Sequence, residues 1–121
     1  MTQSKESRIN FENMSKKEVS DIANPIMDNL MDASAQIDHE KHVQDFTDRL
    51  KNIVTKENLQ EMCEEYQKEK GLFSERSLLS VLRRSDSAII TWKQKFTKIN
   101  GEYLAETVLA NKKGQFLVDH T

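Results

Sequence analysis

The hydrophobic period of this chain changes at Gly71. Before it, apolar residues recur at the i, i+3, i+4 and i+7 spacing of a helix face; after it, they alternate as in a half-buried strand. Helices gathered in one half and strands in the other predict an α+β domain, with N-terminal helices packed on one face of an antiparallel sheet of about four strands. A chain of 121 residues fits a single domain and can bury a core without disulfide or metal staples.

The same boundary divides the charge. Residues 1–70 hold 10 Lys/Arg against 15 Asp/Glu, and residues 71–121 hold 8 against 5. An acidic helical layer on a mildly basic sheet gives a dipolar molecule, which orients association and leaves the fold alone. A general nucleic-acid binder needs a concentrated basic surface, and none is legible here. No apolar run approaches the ~20 residues that span a bilayer. The start, Met1 to Glu6, lacks the apolar core and cleavage site of a signal peptide, so a cytoplasmic location without membrane attachment is expected. Cys63 is the only cysteine, which excludes an internal disulfide and a CxxC knuckle.

Residues 1–14 are polar apart from Ile9 and Phe11. They read as a flexible leader with at most a short docked piece, leaving 15–121 as the domain. Ser15 followed by Glu18 is a capping box that opens the first helix. Its apolar stripe is Val19, Ile22, Ala23, Ile26, Met27, Leu30 and Met31. Pro25 lies on the polar side and either kinks this helix or restarts it behind an Asn24 cap. A second helix is expected over about 38–50, with His39, Val43, Phe46 and Leu50 on one face. Thr55 caps a third, with Leu59, Met62, Cys63 and Tyr66 as its buried stripe and Gly71 as its left-handed C-cap.

Four strands are expected over about 77–84, 88–99, 102–110 and 115–120. Asn100-Gly101 favours the type I′ turn of a two-residue hairpin. That turn would set Trp92 opposite Leu109, Phe96 opposite Ala105 and Lys95 opposite Glu106. The loop 111–114 would then place Leu109 against Phe116 and Thr107 against Val118. One face carries Ile90, Trp92, Phe96, Ala105, Leu109, Phe116 and Val118 and must meet the helices. The other mixes charge with Leu104, Val108 and Leu117, which as neighbours form a candidate subunit interface.

Three helices followed by a curved antiparallel sheet resemble the nuclear transport factor 2-like superfamily, the cystatin-like roll. The resemblance covers roughly 18–121 and is closest to a group of small prokaryotic domains to which no activity is attached. It is carried by Ile22 to Met27, Asp38 to Phe46, Gly71, Ile90 to Phe96, Leu104 to Leu109 and Gly114 to Val118. The resemblance implies a cone between helices and sheet, which members use for isomerase or dehydratase sites, for small ligands, or not at all in dimeric interaction modules. The ketosteroid-isomerase constellation of a carboxylate base and an acidic donor pair does not map onto these residues, and Asp119 falls on the outward strand face. The fold by itself licenses no enzymatic claim.

Individual residues add little chemistry. His39 and His42 stand three apart, whereas a zinc-protease helix needs four; with Asp45 they could share one turn, but the plainer reading has His39 edging the core and His42 and Asp45 solvated. Cys63 sits on an apolar stripe, far from a helix N-terminus, and reads as an inert core thiol. Arg83-Arg84 beside Ser85-Asp86 reads as a charged hairpin. Trp92 is a core residue or the wall of a ligand cavity, and Gln94, Tyr103, Thr107 and His120 share its face. Trp92, Tyr103, Thr107 and His120 therefore form the candidate pocket for a small apolar ligand. No catalytic residue, metal or cofactor is expected. The reading favoured is a non-catalytic binding or interaction domain, homodimeric through Leu104, Val108 and Leu117. The alternative is a ligand-binding protein or enzyme using the cone.

Overall fold

The computed structural model describes residues 10–121, so residues 1–9 of the expected leader lie outside the described residues. The rest of that leader is docked. Asn10 caps a short 3₁₀ turn, Phe11–Asn13, and the Phe11 backbone N–H donates to the Ser85 carbonyl at 3.3 Å. Phe11 is fully buried, edge-on to Phe116 at 5.7 Å. An apolar ring in a polar stretch was the signal for this docking.

Helix α1 (Lys16–Gln36) begins with the expected capping box. Ser15 Oγ accepts from the Glu18 N–H at 3.0 Å, and the Ser15 N–H donates to Glu18 Oε1 at 2.8 Å. The helix runs through Pro25 without restarting. Pro25 is on the exposed side, where water can satisfy the Asp21 carbonyl that loses its intrahelical donor. Asn24 is therefore not a cap; its Oδ1 accepts from Trp92 Nε1 at 3.2 Å, tying α1 to the sheet.

The expected second helix is two short ones, α2 (His39–His42) and α3 (Asp48–Ile53), capped by Asp38 and Thr47. Between them the chain crosses the end of the sheet. Phe46 forms a parallel bridge with Val118, whose N–H donates to Asp45 O at 2.7 Å and whose carbonyl accepts from Thr47 N at 2.9 Å. A continuous helix would have consumed those backbone groups itself, and burial of Phe46 at 2% exposure favours the break. Helix α4 (Lys56–Lys70) is capped by Thr55 as expected.

Four antiparallel strands follow in simple order: β1 (Phe73–Arg83), β2 (Ser87–Phe96), β3 (Tyr103–Lys112) and β4 (Gln115–His120). The β2–β3 register differs from the expected one. Trp92 meets Ala105, Gln94 meets Tyr103 and Ala88 meets Leu109, while residues 97–102 form the loop. The cause lies at the end of α4. Thr97 N–H donates to Leu72 O and Lys98 N–H to Lys70 O, both at 2.9 Å. Those bonds draw the chain away from β3 before Asn100-Gly101 can close a tight turn. The tight hairpin is instead β3–β4, where Lys112 pairs with Gln115 across Lys113 and Gly114, both at positive φ. Leu109 accordingly faces Val118, not Phe116. Both slips are by an even number of residues, so through Val118 the faces are those expected.

The inner face of the sheet buries Ala88, Ile90, Trp92, Gln94, Thr107, Leu109 and Val118 against Val19, Ala23, Met27 and Leu30 of α1. Gly71 has φ +85° and ψ −150°, a conformation nearly confined to glycine and different from the left-handed cap expected there. A Cβ at this position would lie 2.2 Å from Thr97 Oγ1 and 3.0 Å from Lys98 N. Gly71→Ala is therefore expected to cost about 1–3 kcal/mol of unfolding free energy. Urea denaturation checks it, and a variant as stable as wild type would contradict this account of the junction.

Candidate functional site

The break between α2 and α3 leaves space beneath it. Bounded by α1, the α2–α3 segment, α4 and the chain end at His120–Thr121 is a cavity of about 440 Å³. Met27, Leu30 and Met31 come from α1, Leu50 and Ile53 from α3, and Met62 from α4. Such a size and mainly apolar lining are those of small-molecule sites. Met62, expected in the buried stripe of α4, is 53% exposed and stands at the rim with Ile53.

Polar groups converge on this apolar lining. Ser34 Oγ lies 2.6 Å from Tyr66 Oη and 3.3 Å from Cys63 Sγ. Gln67 Nε2 donates to the Ser34 carbonyl at 3.1 Å, fixing the α1–α4 contact. Burial pushes the Tyr66 hydroxyl above its ordinary range, against the opposing pull of hydrogen bonds from Gln67 and Ser34, so it stays a neutral hydroxyl. Cys63 is buried within this network, as its apolar stripe implied.

His42 corrects the sequence reading most directly. It is 7% exposed, not solvated, and packs edge-on to Phe46 at 5.3 Å. Its Nδ1 is buried without a hydrogen-bond partner among the described residues. Burial, together with the neighbouring charge of His39, lowers its pKa to about 4. A neutral imidazole thus lines the cavity at neutral pH. His39 Nε2 is 2.8 Å from the Val54 carbonyl, at the edge of the core. Among the described residues, no three His, Cys, Asp or Glu side chains are placed to share a metal ion.

Arg49 stands where the cavity meets solvent. Its Nε donates to Asp119 Oδ1 at 3.2 Å and its Nη2 to the Asp119 carbonyl, while Thr47 Oγ1 donates to the same Oδ1 at 2.8 Å. Burial raises the Asp119 carboxyl, but the bonds from Thr47 and Arg49 and the charges of Arg49 and Lys112 outweigh it, holding it below the usual carboxylate range.

The four pocket residues expected from sequence are not brought together. Trp92 is 1% exposed and does not line the cavity, because Asn24 holds its indole and the Arg76 guanidinium covers the ring at 5.4 Å. Thr107 is fully buried, its hydroxyl 3.0 Å from Met27 Sδ and 3.2 Å from Thr121 Oγ1. Tyr103 sits at the far end of the sheet, edge-on to Phe96 at 5.3 Å with Lys70 Nζ 5.0 Å above its ring. His120 alone borders the cavity. A bulge after Val118 sets it opposite Val108, so its imidazole turns to the outer face and its Nε2 lies 3.2 Å from Glu106 Oε1. Strand alternation had put it on the face of Trp92, and one extra residue in β4 reverses that.

The buried His42 makes stability depend on pH. Its pKa is about 4 folded against about 6.5 unfolded, so the unfolded chain binds the extra proton between those values. Stability falls as pH drops from 6.5 towards 4, by up to about 3 kcal/mol from this group. Urea unfolding across that range is expected to show a steeper loss for wild type than for His42→Leu. Parallel curves would mean that His42 is not buried neutral.

No protein-family model and no curated protein matches the sequence. Among solved structures, the chain is similar to a protein from Campylobacter jejuni whose name describes it, provisionally, as an NTF2-like transpeptidase. The two share 19% identity with a TM-score of 0.56, over 85% of this chain and 98% of that one. Likeness at that identity speaks to architecture alone. The curved four-stranded antiparallel sheet, the helices across its inner face and the cone they enclose make this chain NTF2-like in fold.

Proposed function

We propose that this chain is a non-catalytic binding module that takes a small, mainly apolar molecule in the cavity between α1, α3 and α4. The observation that carries the reading is an apolar space of about 440 Å³ reached by hydroxyl and imidazole groups, one of them the unpartnered His42. A roll built only for its surfaces would close that space with side chains, as it does around Trp92. A wider depression along β4, of about 1030 Å³, is lined mainly by polar and charged side chains, with Phe46, Phe116 and Leu117 as its apolar members. The test uses 1-decanol as probe, measured by isothermal titration calorimetry. Wild type is expected to bind it with a negative heat-capacity change. Met62→Trp, which places a large ring at the exposed rim, is expected to abolish binding without loss of fold. A wild type that releases or absorbs no binding heat at any temperature sinks the reading.

A second reading rests on the outer face of the sheet. Leu82, Ile89 and Val108 align across β1, β2 and β3, Leu117 lies opposite Ala110, and Leu82 and Leu104 are 57% and 66% exposed. Homodimerisation through this face would cover them. Leu104 stands apart from the row, beside Lys93, so Leu82 is the better probe. Sedimentation equilibrium is expected to give a dimer for wild type and a monomer for Leu82→Glu; a monomeric wild type excludes the dimer.

A further inference from the structure

We infer that the molecule this cavity takes is an amphipathic acid, with its carboxylate at Arg49 and its apolar body among Met27, Met31 and Met62. This rests on the ligand-binding reading above and gives that ligand a chemical class.

The chemistry of the lining is one-sided. The helical layer supplies most of the walls and is the acidic part of the chain, yet among the described residues no Asp or Glu lines the cavity. Its ionisable and hydroxyl side chains are Ser34, Tyr66, Thr121, His42 and Arg49, while His120 borders the space with its imidazole turned to Glu106. No Asp or Glu side chain of that lining stands ready to receive a ligand ammonium group. A ligand carboxylate meets a guanidinium and hydroxyl donors.

Arg49 is held by Asp119 with donors to spare. A guanidinium has five N–H donors in a fixed fork. Asp119 engages Nε and Nη2, which leaves Nη1 free among the described contacts. Asp119 is itself anchored by Thr47, so the fork is oriented before any ligand arrives. Preorganised donors of this kind bind carboxylates with short, charge-assisted bonds.

Three methionines, Met27, Met31 and Met62, stand among Leu30, Leu50 and Ile53 in the apolar lining. Unbranched thioether side chains adapt to a flexible chain better than branched ones and select weakly for rigid shape. The class that fits is a straight- or branched-chain carboxylic acid, not a planar ring system.

Calorimetry with decanoate, 1-decanol and decylamine on the full chain, at a pH where the acid is ionised, tests this. Decanoate is expected to bind about tenfold tighter than decanol, and decylamine weakest. Arg49→Gln should bring decanoate to the level of decanol while leaving decanol affinity unchanged. Equal affinity for acid and alcohol, or an acid preference that survives in Arg49→Gln, overturns the inference while the binding reading stands. Failure of all three probes to bind wild type overturns both.

Discussion

Gly71 has no side chain, and the backbone of Lys98 and the hydroxyl of Thr97 occupy the space where one would be. That close approach joins the helical half to the sheet. It lets Lys70 and Leu72 accept bonds from the end of β2, and those bonds decide where β2 stops pairing with β3. The length of the 97–102 loop, the partner of Trp92 and the position of β3 all follow. Asn24 supplies the second tie, from mid-α1 to the indole of Trp92. Between these two points the inner face of the sheet has one way to lie against α1.

What could be read from the residues was whatever depended on local chemistry or on parity. The capping box at Ser15, the N-cap at Thr55, the apolar stripe of α1 and the alternation of the strands are local, and the structure carries all of them. The Asn100-Gly101 turn was local too, but it lost to the non-local bonds at residues 70–72. Because the slip was even, the list of inward residues survived a wrong register. His120 did not survive, since a single extra residue in β4 is an odd change. No local signal marks such a bulge.

His42 was hidden for a different reason. Treating 38–50 as one helix put it on the solvent side. Thr47 followed by Asp48 is a legible second N-cap, and reading it would have split the helix and released Phe46 for the sheet. Phe73 was missed in the same way. Two residues after Gly71, it reads as loop, yet it packs 5.0 Å from Tyr66 and 5.2 Å from Phe96. That aromatic stack occupies the end of the sheet where an open pocket beside Tyr103 had been expected. The space lies under the broken helix, with Tyr66 and Phe73 of that stack forming one of its walls.

The two edges of the sheet bear on how copies of this molecule can meet. The β4 edge is already stitched by the Asp45–Thr47 crossing at Val118. The β1 edge is long, but its register shifts between Phe73 and Arg76 and again between Leu78 and Ser80, and such irregularities spoil a strand as a template for another. Neither edge offers a flat ladder on which strands could be added without limit. Pairing of copies through the sheet's broad face, as proposed above, would be a two-fold contact that closes on itself.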